Sequence, residues 1–298
     1  GIDIDFPLDE EDYIDSFIVS SAIKWLEAKE TRRTPFFLWI DLSLPHPPMD
    51  VPQKYKDLYK AADLDPVIPR RKAGLPASLA NDMNATARDS TDYRRGYLAL
   101  ITMMDALVGK LVDHLDDSGL RENTIVIFFA DQGSMTGHHG LYSKKYFYKE
   151  VINSPLIISH PEHGKGRVIN RCVELLDLSK TMVTLYGCDS QDVAETHGFD
   201  LMPLLAGGSF GREFAHAEQH GVNMIQNEDF KLVSYEDGDI LYDLKNDPDE
   251  LTNVISRHPD IAKKLREKKE HWLTHSGEVK PSLLKPETGN VRRGARAR

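Results

Sequence analysis

Residues 131–133, with the sequence Asp-Gln-Gly, place two side chains suited to metal binding next to each other. A carboxylate beside an amide oxygen offers two hard oxygen donors, which suit calcium or magnesium better than zinc. Gly133 would let the backbone turn sharply behind them. Taken alone, the tripeptide is more typical of a strand-ending turn in which Asp131 caps the loop.

A second motif follows at once in residues 137–144, with the sequence Gly-His-His-Gly-Leu-Tyr-Ser-Lys. Lys144 could bind an anionic group and hold its oxygens as charge develops during a reaction. A histidine of this motif could carry a proton. On its own, the motif fits a glycine-rich surface loop with solvated cations better.

The third candidate is His46, which lies between Pro45 and Pro47. Flanking prolines stiffen the backbone and suit a fixed hydrogen-bond donor or acid better than a mobile surface histidine. A proline-rich turn in which His46 is incidental fits the sequence equally well.

Apolar runs predict the strands that would position these motifs. Residues 36–40 come before His46, residues 124–130 come before Asp131, and residues 155–159 form a third run. Runs of this length are typical of strands buried on both faces. Helices are predicted over residues 12–29, 92–117 and 177–186.

The alternation of helices and buried strands predicts an α/β fold, with a largely parallel (mixed) central sheet sandwiched by helices. In such sheets ligands bind beyond the carboxyl ends of the strands. We therefore expect the three motifs to meet at one rim of the sheet. The residues expected at this rim are His46, Asp131, Gln132 and Lys144.

After about residue 210 the pattern changes to short alternating stretches, which predict a small antiparallel sheet followed by a helix over 257–273. Residues 43–91 predict a long surface excursion with short helical turns, a kind of segment that often carries function. The predicted domains are a partial α/β core over 1–210, a C-terminal antiparallel α+β subdomain over 211–275, and a flexible basic tail over 276–298.

Composition narrows the function classes. The net charge of −10 argues against non-specific nucleic-acid binding, and no apolar run is long enough for a membrane span. The seven acids in residues 1–20 predict a solvated terminus. Cys172 and Cys188 exclude a disulfide scaffold, leave a single bridge open, and lie in no cluster with the spacing of zinc ligands.

Taken together, these stretches resemble the sulfatase family of the alkaline phosphatase superfamily, in order from about residue 12 to 272. The resemblance implies that Asp131 and Gln132 bind a divalent cation, calcium or magnesium. It implies that Lys144 binds a sulfate oxygen and that His46 contacts the sulfate ester or protonates the leaving group. His139 is a further catalytic candidate near the sulfate. The matching stretches are 34–39, 45–48, 97–109, 119–126, 131–133, 137–144, 154–158, 197–205 and 241–248.

One part of the family pattern is absent. The family nucleophile is a formylglycine made in a Cys/Ser-X-Pro-X-Arg motif, and the 298 residues contain neither that motif nor the family's N-terminal aspartate pair. The resemblance therefore implies the last two-thirds of a sulfatase, with weak calcium binding and no turnover by the chain alone. We expect apolar sheet edges that the missing N-terminal segment or a second copy of the chain covers.

Two alternative functions stay open at this point. One is a phosphodiesterase or phosphonate hydrolase of the same superfamily, against which Gln132 argues, because phosphate-acting relatives usually place histidine there. The other is a non-catalytic pseudo-sulfatase that binds sulfated sugars without turnover. The expected ligand is a sulfated small molecule or glycan, and the resemblance implies a periplasmic, extracellular or lysosomal location.

Overall fold

The computed structural model describes residues 9–28, 34–60, 64–83, 87–163, 166–187 and 197–276. The chain divides into two compact units: Gly1–Lys165 with Asp249–Thr252, and Gly166–Pro248 with Asn253–Arg298. The domain bounds expected from the sequence stay a prediction beside these units. Within the described ranges, every helix is too short or too polar to cross a membrane.

A long helix organises the first unit. Helices α1 (Ile14–Glu27), α2 (Gln53–Tyr59) and α3 (Ala77–Asp82) precede α4 (Ala87–Asp117), and α1 and α2 both pack against α4. The excursion after residue 43 therefore holds the short helices that its sequence predicts, and α4 begins five residues earlier than expected. The core is formed by Val19, Val51, Tyr55, Ala99, Leu100, Met103 and Leu107.

Helix α1 buries only part of its apolar surface. Its sequence carries two apolar stripes, and the structure buries the stripe that faces α4. The other stripe stays largely exposed in the described residues, although Trp25 packs edge-on against Phe36, with the ring centroids 5.5 Å apart. The buried members are Val19, Ala22 and Leu26, and the exposed members are Ile14, Phe17 and Trp25.

The acidic start of the chain is not simply solvated, and that prediction is wrong for two residues. Asp15 is buried and accepts hydrogen bonds from the backbone N–H (2.6 Å) and hydroxyl (2.8 Å) of Ser43. Glu10 accepts hydrogen bonds from Lys110 (2.8 Å) and Tyr55 (2.8 Å) and pairs with Lys54. Both acids hold the excursion against the helices.

The first unit contains only a small antiparallel sheet in its described residues. Strand β1 (Val126–Phe129) pairs with β2 (Leu156–Ser159), with the short helix α5 (Lys149–Ile152) between them in sequence. Residues 35–43 run without strand pairing, although residues 36–40 were expected to form a buried strand. The pairing in the described part of this unit is antiparallel, so the largely parallel sheet is not confirmed here and stays a prediction.

The second unit contains the antiparallel sheet that its sequence predicts. Helices α6 (Leu175–Leu185) and α7 (Met202–Leu205) precede a four-stranded sheet, and helix α8 (Pro259–Ser276) packs on it. Its core includes Ile225, Leu232, Leu241, Ala262 and Leu265. Cys172 is a free thiol, and Cys188 lies outside the described residues. The strands, in order across the sheet, are β3 (Ala215–Gln219), β4 (Val222–Gln226), β5 (Phe230–Tyr235) and β6 (Gly238–Asp243).

Candidate active site

The loop after β1, residues 131–145, is fixed by its backbone. The N–H of Gly133 donates to the carbonyl of Val151 (2.7 Å), and the N–H of Met135 donates to the carbonyl of Ser143 (2.9 Å). A Cβ atom on Gly133 would lie 2.0 Å from the carbonyl oxygen of Glu150, so only glycine fits there. Buried Met135 and Leu141 anchor the middle of the loop.

The turn at residues 137–140 is equally constrained. Gly137 has a φ of +97° and donates its N–H to the carbonyl of Leu141 (2.8 Å). A Cβ atom there would lie 2.1 Å from Oγ of Ser90 on α4. The positive φ and the close approach of the helix together require glycine. The side chains of this loop are therefore presented by a backbone with little freedom.

Asp131 and Gln132 stand at the start of this fixed loop. Asp131 is exposed, Gln132 is half-buried, and neither forms a hydrogen bond or ion pair with any described residue. Their oxygens fit a hard cation in chemical type, although calcium takes six to eight oxygen ligands. Within the described ranges, no group of three or more His, Cys, Asp and Glu is arranged to hold a metal ion. The pair offers part of a coordination shell.

Lys144 differs from the neighbouring lysines. Lys145 pairs with Asp82 (3.1 Å), and Lys149 pairs with Asp249. The ammonium group of Lys144 has no acid or hydrogen-bond partner in the described part of the chain. It is half-buried on a rigid loop, which suits the binding of an anion.

His46 is exposed at the end of the segment that runs beside β1. Its backbone N–H donates to the carbonyl of Ser43 (2.8 Å), and its ring Nδ1 lies 2.7 Å from the carbonyl oxygen of Pro47. Because a carbonyl only accepts, Nδ1 carries the hydrogen in this contact, which leaves Nε2 as the acceptor of the neutral ring. The rings of Trp39 and Phe129 lie 5.5 Å apart, so this segment and β1 are neighbours. The meeting of His46 with the loop stays a prediction.

His139 is buried, and its expected role near the sulfate stays a prediction. Only 2% of this residue is exposed, and its ring stacks on Tyr148 with the centroids 3.9 Å apart. Its Nε2 lies 3.9 Å from a carboxylate oxygen of Glu150. An imidazole packed in this way supports the loop.

His138 is a positioning residue that the sequence did not single out. Its Nδ1 accepts a hydrogen bond from the backbone N–H of Ile68 (3.1 Å). Burial lowers the pKa of His138, and the positive charges of Arg94 and Lys149 lower that pKa further. Both effects favour the neutral imidazole that this acceptor role requires. No local signal could have revealed it, because the two residues are 70 positions apart.

Two family descriptions match the chain. The family description "Sulfatase" matches residues 4–188, which is more than half of the chain. The chain belongs to the sulfatase family. A second description, "N-sulphoglucosamine sulphohydrolase, C-terminal", matches residues 137–274. The sulfatase resemblance carried by the motifs is therefore confirmed.

Relatives of this sulfatase family chain include named enzymes. Arylsulfatase K of Xenopus laevis is 30% identical over 293 residues, which cover 84% of this chain and 54% of the relative. N-acetylglucosamine-6-O-sulfatase of Bacteroides thetaiotaomicron is 29% identical over 192 residues, covering 59% of this chain and 34% of that protein. The chain spans about half the length, or less, of these relatives.

Solved structures confirm the mixed α/β fold of the family. The phosphonate monoester hydrolase of Agrobacterium radiobacter has a TM-score of 0.79 at 24% identity, covering 92% of this chain and 62% of that one. A protein solved with its substrate D-glucosamine-2-N,6-O-disulfate has a TM-score of 0.73 at 19% identity, covering 92% and 72%. At these identities the likeness shows the fold alone.

Proposed function

We propose that this chain supplies the cation- and sulfate-binding part of a sulfuric ester hydrolase that acts on sulfated carbohydrates. One observation carries the proposal. Asp131, Gln132 and Lys144 have no partners among the described residues, although the backbone of their loop is fixed by hydrogen bonds and by glycine contacts. A fixed loop that leaves a carboxylate, an amide and an ammonium unpaired is suited to binding a cation and an anion together.

The metal-binding pair, Lys144 and His46 would have different roles at this site. Asp131 and Gln132 would hold a calcium ion, with magnesium as the alternative, and a bound divalent cation polarises the sulfate group. Lys144 binds a sulfate oxygen and stabilises the charge that develops on the leaving oxygen. Nε2 of His46 donates a hydrogen bond or a proton to the ester oxygen when the imidazole is protonated.

We infer that the covalent step depends on polypeptide outside these 298 residues. Sulfatases attack the sulfur with a formylglycine, and the chain has no Cys/Ser-X-Pro-X-Arg motif from which one is made. The central sheet expected from the sequence also needs strands beyond β1 and β2. An N-terminal segment or a second copy of the chain would supply these strands and cover the sheet edges, and the 298 residues alone would be inactive.

The substrate class and location are proposed from relatives. One relative is named for removing the 6-O-sulfate of N-acetylglucosamine, and one structure of the same fold holds a disulfated glucosamine as its substrate. A sulfated amino sugar is thus the ligand class we propose for this chain. A periplasmic, extracellular or lysosomal location, where such glycans are degraded, is proposed with it.

Phosphonate ester hydrolysis is the second candidate, because a phosphonate monoester hydrolase shares the fold with a TM-score of 0.79. The amide of Gln132 argues against it, since a neutral oxygen donor suits calcium better than the transition metals that imidazole ligands bind. A non-catalytic sulfate-binding protein would keep Lys144 and lose the covalent step, and only the longer protein can distinguish that case by turnover.

Ligand titration followed by NMR tests the proposed site without requiring turnover. We expect glucosamine 6-sulfate with calcium to shift the amide signals of residues 131–145 in the ¹⁵N-labelled chain. Lys144→Ala should weaken this binding about tenfold or more, because a charge-assisted hydrogen bond is lost. Lys145→Ala is the matched control and should bind as the unmodified chain does. Equal effects of the two substitutions, or tighter binding of phenylphosphonate with manganese, would contradict the proposal.

A further inference from the structure

Residues 68–72, here named the basic segment, are fastened to the candidate active-site loop. The backbone N–H of Ile68 donates to Nδ1 of His138 (3.1 Å). The backbone N–H of His139 donates to the carbonyl of Ile68 (2.8 Å). Both polar groups of one residue are therefore satisfied by two consecutive residues of the loop, and the segment and loop are held together.

Arg70 continues this contact. A Cβ atom on Gly140 would lie 3.1 Å from Cδ and 3.3 Å from Cβ of Arg70, so the arginine stem covers this glycine. The guanidinium group of Arg70 donates to the carbonyl of Met83 (3.0 Å). The arginine is held at both ends, and the next residues of the segment leave from a fixed point beside the loop.

Three consecutive cations follow Ile68 and Pro69 in sequence: Arg70, Arg71 and Lys72, all exposed. The backbone carbonyl of Lys72 accepts a hydrogen bond from the N–H of Leu75 (3.3 Å), but the charged side chains of Arg71 and Lys72 form no ion pair or hydrogen bond with the described residues. The acid Asp82, which lies close to this region, is already paired with Lys145 (3.1 Å). The positive charge of Arg71 and Lys72 is therefore left uncompensated by the described protein.

The reach from the basic segment to Lys144 is short. Arg70 contacts Gly140, and four residues of extended chain span at most about 14 Å. A ligand held by Lys144 thus lies within a few sugar rings of Arg71 and Lys72. An oligosaccharide with several anionic groups can bind Lys144 and the basic segment at once, which raises its affinity. A singly sulfated sugar reaches only Lys144.

We propose that Arg71 and Lys72 form a subsite for a second anionic group of the substrate, so that the chain selects polyanionic saccharides over singly sulfated ones. This inference rests on the proposed function for the role of Lys144. The carboxylate or sulfate of a neighbouring sugar unit is the group that the two cations would bind. The hydrogen bonds of His138 and His139 set the distance between the two binding places.

Binding of two probes tests this subsite. We expect Arg71→Ala with Lys72→Ala to weaken binding of a fluorescein-labelled, fully sulfated heparin tetrasaccharide by roughly tenfold, which is the range of two exposed ion pairs. Binding of glucosamine 6-sulfate, followed by NMR, should stay unchanged. The double variant should also show a smaller loss of tetrasaccharide affinity between low and high salt.

The control is Lys24→Ala with Lys60→Ala, which removes the same charge from exposed positions on α1 and after α2. It should bind the tetrasaccharide at least several-fold better than the subsite variant. An equal loss in the control, or an unchanged tetrasaccharide affinity in the subsite variant, would overturn the inference. Failure of the proposed function appears separately, as glucosamine 6-sulfate binding that does not respond to Lys144→Ala.

Discussion

Glu10 receives hydrogen bonds from Lys110 and Tyr55 and pairs with Lys54, so one carboxylate joins α2 and α4 to the start of the chain. Burial alone would raise the pKa of Glu10, but these hydrogen bonds outweigh it and lower that pKa to about 2. Stabilisation from a carboxylate with a lowered pKa is complete above its ordinary value of 4.5 and is lost as the pH falls toward 2.

We expect Glu10→Gln to lower the free energy of unfolding by about 1 kcal/mol at pH 7, because three interactions with a charged acceptor weaken. The difference in the free energy of unfolding between the variant and the unmodified chain should shrink as the pH falls from 4.5 to 3. Urea unfolding at a series of pH values measures both effects. Glu11→Gln removes the same charge at an exposed neighbouring position, and a cost as large as that of Glu10→Gln would contradict the prediction.

The candidate site residues that the sequence revealed are those whose role is local. Asp131, Gln132 and Lys144 follow one strand in one loop, so residue type and spacing are enough to find them. The roles of Glu10 and His138 depend on partners 44 to 100 and 70 residues away, so no short pattern contains them. His139 has the right residue type in the right motif, but the stacking on Tyr148 that buries it appears only in the fold.

At the scale of elements, Gly133 decides where the loop leaves β1. We expect Gly133→Ala to destabilise the chain by about 2 kcal/mol, because the new methyl group would meet the backbone oxygen of Glu150, which cannot rotate away. Gly109→Ala is the matched control, since nothing lies within 4 Å of its added Cβ on α4. Removing a helix-interior glycine should stabilise the chain by about 0.5–1 kcal/mol.

Thermal or urea unfolding gives the sign of each change, and opposite signs are the expected outcome. NMR signals of residues 131–145 should move in the Gly133→Ala variant and stay in place in the Gly109→Ala variant. Stabilisation by Gly133→Ala, with an unchanged loop spectrum, would show that the loop does not pass Glu150 as closely as the structure has it.

Helix α6 begins in a buried charge network that involves both ends of its capping box. Glu174 and Asp177 form the box, and buried Arg212 pairs with both carboxylates. Asp177 also accepts a hydrogen bond from the backbone N–H of Phe199 (2.8 Å). We expect Asp177→Asn to lower the free energy of unfolding by about 3 kcal/mol, because it leaves the buried guanidinium of Arg212 with less compensating charge.

The exposed pair of Arg171 and Glu228 (2.8 Å) is the matched comparison in the same unit. Glu228→Gln should lower the free energy of unfolding by less than about 1 kcal/mol, because solvent screens this pair. Chemical denaturation of both variants measures the difference. Equal costs would mean that burial does not strengthen the network at α6.

Helices and strands could be predicted from the sequence where a periodic apolar stretch packs against other residues of the same chain. The helix α4 and the four antiparallel strands of the second unit lie close to their predicted positions, since each packs on neighbours in these 298 residues. The strand expected at residues 36–40 and the second apolar stripe of α1 have only a few aromatic contacts, such as Trp25 with Phe36 and Trp39 with Phe129. Much of their apolar surface stays exposed in the described residues.

At the scale of the whole molecule, this uncovered apolar surface has a measurable consequence. Phe37, Trp39 and Ile157 are 56%, 54% and 62% exposed, in and beside the small sheet of β1 and β2. Exposed apolar surface of this kind marks a place where another polypeptide binds. If a preceding segment or a second copy completes the sheet, the 298 residues alone carry an unsatisfied interface.

We therefore expect the chain to bind the dye ANS and to self-associate at micromolar concentrations in sedimentation velocity experiments. Trp39→Ser should reduce both, because it removes a large aromatic ring beside β1. Leu58→Ser is the control, since Leu58 is 61% exposed on α2 and should not take part. A longer protein that includes the preceding segment should sediment without this association and bind little ANS. A monodisperse chain with no ANS binding would show that residues 36–40 and β2 need no cover, and the inference that outside polypeptide completes the sheet would then fail.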